Sequence, residues 1–264
     1  VIFDHKSKTF RSKIFPAYKA NRPPPPDDLI PQFDLIKSAT RAFNIPCIEV
    51  AGYEADDIIA SYAHAADISG GSVVIISSDK DLMQLVTNSI TMFDAMKNNS
   101  IDREKVFEKF GVYPEKVIEV QALAGDSVDN IPGAPGIGIK TAAQLVTEFG
   151  DIENLLDNLD RISQPKRRLT LQENKAKIRI SKQLVTLIKN APLPKSIDDL
   201  AVQKINPEPL LNFMSKMEFK TLSKRIISKF QEADGGTLFA TSDMNLTDTF
   251  VAQDSSEPIN FEPY

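Results

Sequence analysis

At 264 residues the chain can form one large domain or two smaller ones, and its 42% hydrophobic content is ample for a core. No stretch approaches the roughly 18 continuous apolar residues of a membrane span and no secretory signal is visible, which excludes a spanning helix and makes a cytoplasmic location the expectation. The formal charge of −5 would argue against nucleic acid if it were uniform, but residues 235–264 carry five acids and no Lys or Arg, and the other 31 of the 36 acids match the 31 basic residues.

Val1-Ile2-Phe3 is a short apolar run capped by Asp4, and the chain opens inside this strand-like run without an initiator Met, as a fragment would. A basic segment with interleaved aromatics follows: His5, Lys6, Lys8, Phe10, Arg11, Lys13, Tyr18, Lys19 and Arg22, then Pro23 to Pro26. Four successive prolines exclude helix and favour extended polyproline geometry. The charges and rings before them suit an element that holds a phosphate backbone and stacks on bases, although a plain exposed basic loop has the same composition.

Residues 27–43 read as an amphipathic helix (Leu29, Phe33, Ile36, Ala39, Phe43) and residues 45–50 as a strand. That strand holds Cys47, the single cysteine, which has no partner for an intramolecular disulfide and reads as a buried, inert thiol in a reducing compartment. Gly52-Tyr53-Glu54-Ala55-Asp56-Asp57 then places three carboxylates at the mouth of a helix over residues 54–68. Glu54 and Asp57 fall on one face, with Asp56 beside them. Acids are common in first helical turns, so this cluster alone does not define a site.

Similar acids recur after later apolar runs. Residues 72–77 read as a buried strand that ends at Asp79-Lys80-Asp81, residues 80–85 as a short helix, and residues 90–93 as another strand. A helical pattern ending at Ala124 gives way to Gly125-Asp126-Ser127-Val128-Asp129-Asn130. The alternation predicts an α/β fold with a mainly parallel sheet covered by helices, followed by helices from about residue 102 to residue 230. In such sheets ligands bind outside the carboxyl ends of strands, so these acids can converge. Converging carboxylates repel one another, and hard divalent cations with oxygen ligands relieve that repulsion.

The most specific motif is Ile131-Pro132-Gly133-Ala134-Pro135-Gly136-Ile137-Gly138-Ile139-Lys140-Thr141-Ala142-Ala143. Its glycines and prolines force a tight loop ahead of a helix over residues 140–149, and amides at a helix N-terminus bind phosphate without reading bases. This is the logic of a helix-hairpin-helix DNA-binding element. Downstream, Lys166, Arg167, Arg168, Lys175, Lys177, Arg179 and Lys182 form a basic helical region, which by itself could be only a solvated face.

Taken together, Val1-Ile2-Phe3-Asp4, the run from Phe15 through Tyr18-Lys19-Ala20-Asn21-Arg22-Pro23, Gly52 to Asp57, Ser78-Asp79-Lys80-Asp81-Leu82, and Gly125-Asp126 through Ala142 resemble the 5′ nuclease domains of bacterial DNA polymerase I, in the flap endonuclease family. The resemblance covers about residues 1–230. It implies a PIN-like or resolvase-like nuclease core (residues 1–124, with a basic arch at 5–26), a helix-hairpin-helix region (125–232) and an acidic linker toward a polymerase portion (233–264). A C-terminal strand around residues 237–240 is the alternative for part of the linker. It further implies a monomeric, metal-dependent 5′-3′ exonuclease and flap endonuclease acting on branched or nicked DNA in primer removal and nick translation. Asp4, Glu54, Asp56, Asp57, Asp79, Asp81, Asp126 and Asp129 would hold two Mg²⁺ or Mn²⁺ ions. Tyr18, Lys19 and Arg22 would act at the scissile phosphate, and Gly133, Gly136, Ile137, Gly138, Lys140 and Thr141 would hold the duplex, with a K⁺ ion at the loop. The family's first strand, which bears a further metal-site Asp, would precede Val1. A chain without it could be a DNA-binding module that does not cut. An RNA-cutting nuclease with an acidic α/β site is less well matched, since it has no use for the 133–142 loop.

Overall fold

The computed structural model describes residues 1–233. The expected linker and its alternative strand at 237–240 lie outside the described residues. Short helix α1 (Phe10–Ile14) and helix α2 (Ile30–Ala42) precede α3 (Ala55–Ile68), strands β1 (Val73–Ile76), β2 (Ile90–Asp94) and β3 (Asn99–Ile101), and helices α4 (Arg103–Phe110), α5 (Val117–Ala124), α6 (Ile139–Phe149), α7 (Ile152–Asp157), α8 (Pro165–Glu173) and α9 (Lys175–Val185). After Asn206 the chain enters a second compact unit containing α10 (Pro207–Lys216) and α11 (Lys220–Ala233), which pack on each other.

The start of α3 is fixed by its acids. Glu54 is the N-cap, its side chain and that of Asp57 close a capping box, and Asp4 Oδ1 accepts from the Ala55 amide at 2.7 Å. Three of the orphan donors of the first turn are thereby satisfied by carboxylates that also favour the positive end of the helix dipole. The opposite end closes at Ser69, and Gly70 turns the chain at φ 80° into β1.

The sheet is smaller and less parallel than the sequence pattern suggests. β1 pairs parallel with β2, in register Val73↔Ile90 to Ile76↔Phe93, and β2 pairs antiparallel with β3, Met92 opposite Ile101. A turn with Asn98 at φ 49° joins the antiparallel pair, a strand the apolar pattern misses because Asn99 and Ser100 are polar and exposed. The strands expected at residues 1–3 and 45–50 reduce to one parallel bridge, Ile2↔Ile48. Pro46 has no amide to extend the ladder, and the turn closed by Tyr53 N–H on the Val50 carbonyl bends the chain away. In that run Ile48 points inward and Cys47 is half-buried rather than buried. Helix α2 forms as expected, but of its own residues only Ala42 is buried, and Phe33 and Ile36 are 45% and 49% exposed.

One core runs through both halves of the first unit, from Ala60, Ile75 and Met92 to Val120, Leu123, Leu145, Ile178 and Leu184. α5 is its axis: six of its eight residues are buried, and it packs against both α6 and α9. The one connection between α5 and α6, residues 125–138, folds back on itself backbone to backbone. Asp126 and Ile131 exchange two amide hydrogen bonds (3.0 and 2.7 Å), while a Cβ on Gly125 would lie 2.6 Å from the Ile131 carbonyl and one on Gly133 would lie 2.5 Å from the Gly125 amide. With φ of 69° and 54°, both positions require glycine for conformation and for space.

Candidate active site

The N-terminus of α3, the turn after β1 and the loop after α5 open onto one cleft, lined by Glu54, Asp56, Asp79, Asp81, Asp126 and Asp129 and faced by Tyr18, Lys19, Arg22 and Lys80. Asp4 stands at its edge, close enough to Asp56 to act on its charge. Each acid is held by a local device. Asp79 caps the 3₁₀ helix over residues 80–85 by accepting from the Asp81 amide at 2.9 Å. Asp81 Oδ1 accepts from Gln121 Nε2 at 2.5 Å, and Asp126 Oδ1 accepts from the amides of Val128 and Asp129 at 2.8 and 3.2 Å.

The acids repel. Burial, then the charges of Asp79, Asp4, Asp81 and Glu54, push the Asp56 carboxyl up to about 7. Burial and Asp79 push Asp81 up to about 6. Asp126 moves the other way. Burial works against its charge, but Lys80 at 2.5 Å and the two loop amides outweigh it and hold the carboxyl below its ordinary value. Among the described residues no three His, Cys, Asp or Glu side chains converge closely enough to hold one ion outright. The fit to a divalent cation rests instead on an all-oxygen donor set in which burial and neighbouring negative charge raise Asp56 and Asp81, the condition that a hard cation relieves.

The elevated Asp56 has a measurable consequence. The folded carboxyl keeps its proton up to about pH 7, whereas the ordinary value is 3.8, so the folded state binds more protons between these limits. The protonated group's contribution to stability is complete below about pH 4 and is lost as pH rises through 7. Asp56→Asn should therefore gain thermal stability over the parent chain as pH goes from 4 to 8 in EDTA, by at most a few kcal/mol. A difference that stays flat across that range would remove the repulsion from the account.

Three expected site residues turn inward. Asp57 is wholly buried: Oδ2 accepts from Arg11 Nη1 (2.7 Å) and the Glu54 amide (3.1 Å), and Oδ1 from Arg11 Nη2 (2.8 Å) and the Ile188 amide (3.0 Å), so neither oxygen is left for a metal. Gly133 is buried with its amide on Ser181 Oγ (2.9 Å), and the Ile137 amide is spent on the Ala134 carbonyl (3.1 Å), so neither donates to a phosphate. Gly136, Gly138 and Lys140 are exposed and Thr141 is half-buried, with Gly138 as an N-cap lacking a side chain and the first amides of α6 free of any side-chain cap.

The basic segment is also not the stacking surface that its composition suggests. Tyr18 is half-buried and its hydroxyl donates to Glu54 Oε2 at 3.1 Å. Lys19 sits at φ 58°, so no helical turn aligns it with Arg22: Lys19 Nζ is 3.0 Å from Glu54, and Arg22 is 2.5 Å from Asp129. Four further groups shape the site without having been marked as site residues by the sequence: Lys80, Gln121, Arg11 and the Asn21–Asn130 pair, which ties the segment to the 125–131 loop at 3.3 Å. Lys80 alone carried a signal, lying between two acids. In the basic helical region, Arg179 is paired with Glu153 and Lys182 with Glu119, leaving Lys166 and Lys177 among the exposed positions.

Residues 1–111 match the family described as 5′-3′ exonuclease, N-terminal resolvase-like domain, and residues 112–208 match 5′-3′ exonuclease, C-terminal SAM fold. The chain is 54% identical over 226 residues to DNA polymerase I of Rhizobium leguminosarum, covering 86% of this chain and 22% of that protein. It is 36% identical over 239 residues to the 5′-3′ exonuclease of Aquifex aeolicus, covering 90% and 81%. The fold is similar to that of the bacteriophage T5 flap endonuclease in a complex with DNA and metal ions (TM-score 0.61, 24% identity, 70% of this chain and 72% of that one). The chain thus spans about a fifth of the Rhizobium polymerase and about four fifths of the Aquifex exonuclease. No helix among the described residues is long and apolar enough to cross a membrane.

Proposed function

The chain belongs to the 5′-3′ exonuclease family, and on that premise we propose that it is a structure-specific 5′ nuclease that hydrolyses phosphodiesters in flapped or nicked DNA, as the nuclease part of a DNA polymerase I that works in replication and repair in the bacterial cytoplasm. The observation that carries this reading is the single cleft in which six acids face Lys19, Arg22 and Lys80.

Asp4, Glu54, Asp56, Asp79, Asp81, Asp126 and Asp129 are the residues that would hold two divalent cations, Mg²⁺ or Mn²⁺. Bound there, such ions acidify an attacking water and offset charge on the phosphate. The chain's own contribution is to orient. Lys19 and Arg22 border the acids from one side and supply positive charge for the phosphate oxygens as negative charge builds on them. The exposed amides at Gly138 and the first turn of α6, with Lys140 and Thr141, suit the phosphate backbone of a duplex, and a K⁺ ion at the preceding loop belongs to the same proposal. The protein would work as a monomer. A module that only binds DNA would have no use for a cleft that brings six carboxylates together.

Titrating Mg²⁺ or Mn²⁺ into a cleavage assay on 5′-flap DNA, with an RNA flap alongside, tests the reading. Metal-dependent cutting of the DNA flap is expected, and binding without cutting at any metal concentration would leave only the DNA-binding module. Lys140→Ala should weaken duplex binding about equally for all sequences and lower the slope of log K against log salt by about one phosphate contact. An unchanged slope would mean that this loop does not touch the backbone.

A further inference from the structure

Arg11 stands apart from the other cations of its segment: it is 1% exposed and buried against a carboxylate that is 0% exposed. Besides gripping both oxygens of Asp57 and standing 3.6 Å from Glu54 Oε2, it donates from Nε to the Leu184 carbonyl (2.7 Å) and from Nη2 to the Thr186 carbonyl (3.1 Å). A buried ion pair contributes little net stability, but broken on one side it is strongly destabilising, so its value lies in fixing geometry.

The geometry it fixes is the stretch of chain leaving α9, residues 184–188. From the other side Gln84 holds the same stretch, donating to the Val185 carbonyl (2.9 Å) and accepting from the Leu187 amide (3.1 Å), while the same Nε2 lies 2.9 Å from the Asp81 carbonyl. Asp57 in turn receives the Glu54 amide at 3.1 Å. Two acid-bearing segments, one at Glu54 and one at Asp81, are thus referenced to one stretch of backbone, and Arg11 roots there the segment that carries Lys19.

Resting on the nuclease reading of the cleft, we propose that Arg11 is a positioning residue: directly at Glu54, and through Asp57 and residues 184–188, it sets the relative placement of Glu54, Asp81 and Lys19, and it makes no contact with DNA. Lysine in its place keeps the charge but lacks the planar fork that reaches two carboxylate oxygens and two carbonyls.

The test is Arg11→Lys in the 264-residue chain, read by Mn²⁺ affinity from calorimetry, by DNA affinity against salt in Ca²⁺, and by single-turnover cleavage in Mg²⁺. Expected are a Mn²⁺ affinity lower by about tenfold or more, a parallel fall in the saturated cleavage rate, and an unchanged salt slope. A folded variant with parental Mn²⁺ affinity, or a salt slope reduced by about one, overturns the proposal. A parent chain that binds no Mn²⁺ overturns the metal-site reading along with it, whereas a loss confined to the comparison of variant with parent leaves that reading standing. Should Arg11→Lys not fold, Gln84→Met releases the same stretch from its other side with the Arg11–Asp57 pair intact. The same loss of Mn²⁺ affinity is then expected, and its absence overturns the proposal.

Discussion

Asp126→Asn should cut metal-dependent cleavage by about a hundredfold or more while leaving the fold and the affinity for DNA in place. Asn keeps the oxygen that accepts from the amides of Val128 and Asp129 at 2.8 and 3.2 Å, so the loop retains its internal cap. What is lost is the charge at the second oxygen, which faces Lys80 and the cleft. An amide is a poor donor to a hard divalent cation compared with a carboxylate, and weakening a metal site costs one to two orders of magnitude in affinity or activity even when only a supporting group is changed. Binding of DNA should be equal or tighter, because one negative charge near the phosphates is gone. A variant that cuts at the parental rate with saturating Mg²⁺ would show that this acid is only a loop cap.

Arg22→Ala should cost about 2.7 to 4 kcal/mol of barrier, the scale of losing one oriented donor to a transition-state oxyanion. The side chain is about half exposed and is anchored through Nε and Nη2 on Asp129 (2.9 and 2.5 Å), leaving Nη1 to reach a phosphate. Two weaker roles make different forecasts. If Arg22 only gathers DNA, the loss appears as affinity and is recovered at low salt. If it only neutralises Asp129, its removal frees a carboxylate for a cation and the saturated rate does not fall. Single-turnover cleavage at saturating enzyme decides among them, and a parental rate there excludes Arg22 from the chemistry.

What the sequence could say about this fold depended on the range over which each feature is determined. α3 was legible to within a residue because its capping acids and apolar face are all local, and β1, β2 and α6 likewise carry their own signals. The convergence of acids at the ends of these elements followed from chain order. The inward turn of Asp57 did not, because the groups that claim it lie 46 and 131 residues away. In sequence it is one of three neighbouring acids, and its burial is decided by Arg11 and residues 184–188. The inward place of Gly133 is hidden for a related reason: a glycine in a phosphate-binding loop and a glycine that lets two backbones touch have the same one-letter neighbourhood. Lys19 and Arg22 lie three residues apart, a spacing that would aim both at one target on a helical turn, and the left-handed backbone at Lys19 parts them.

The contact between Gly125 and Gly133 is, in mechanical terms, a weld. Two limbs of one loop that pass with no side chain between them have no compressible layer, and the paired hydrogen bonds of Asp126 and Ile131 resist sliding. A displacement of the backbone at Gly133 reaches Asp126 with no side chain between them to absorb it. If α6 grips duplex and Asp126 serves the chemistry, the point of scission lies at a constant offset from the point of grip, and the enzyme measures length along its substrate with a rigid gauge, independent of base sequence.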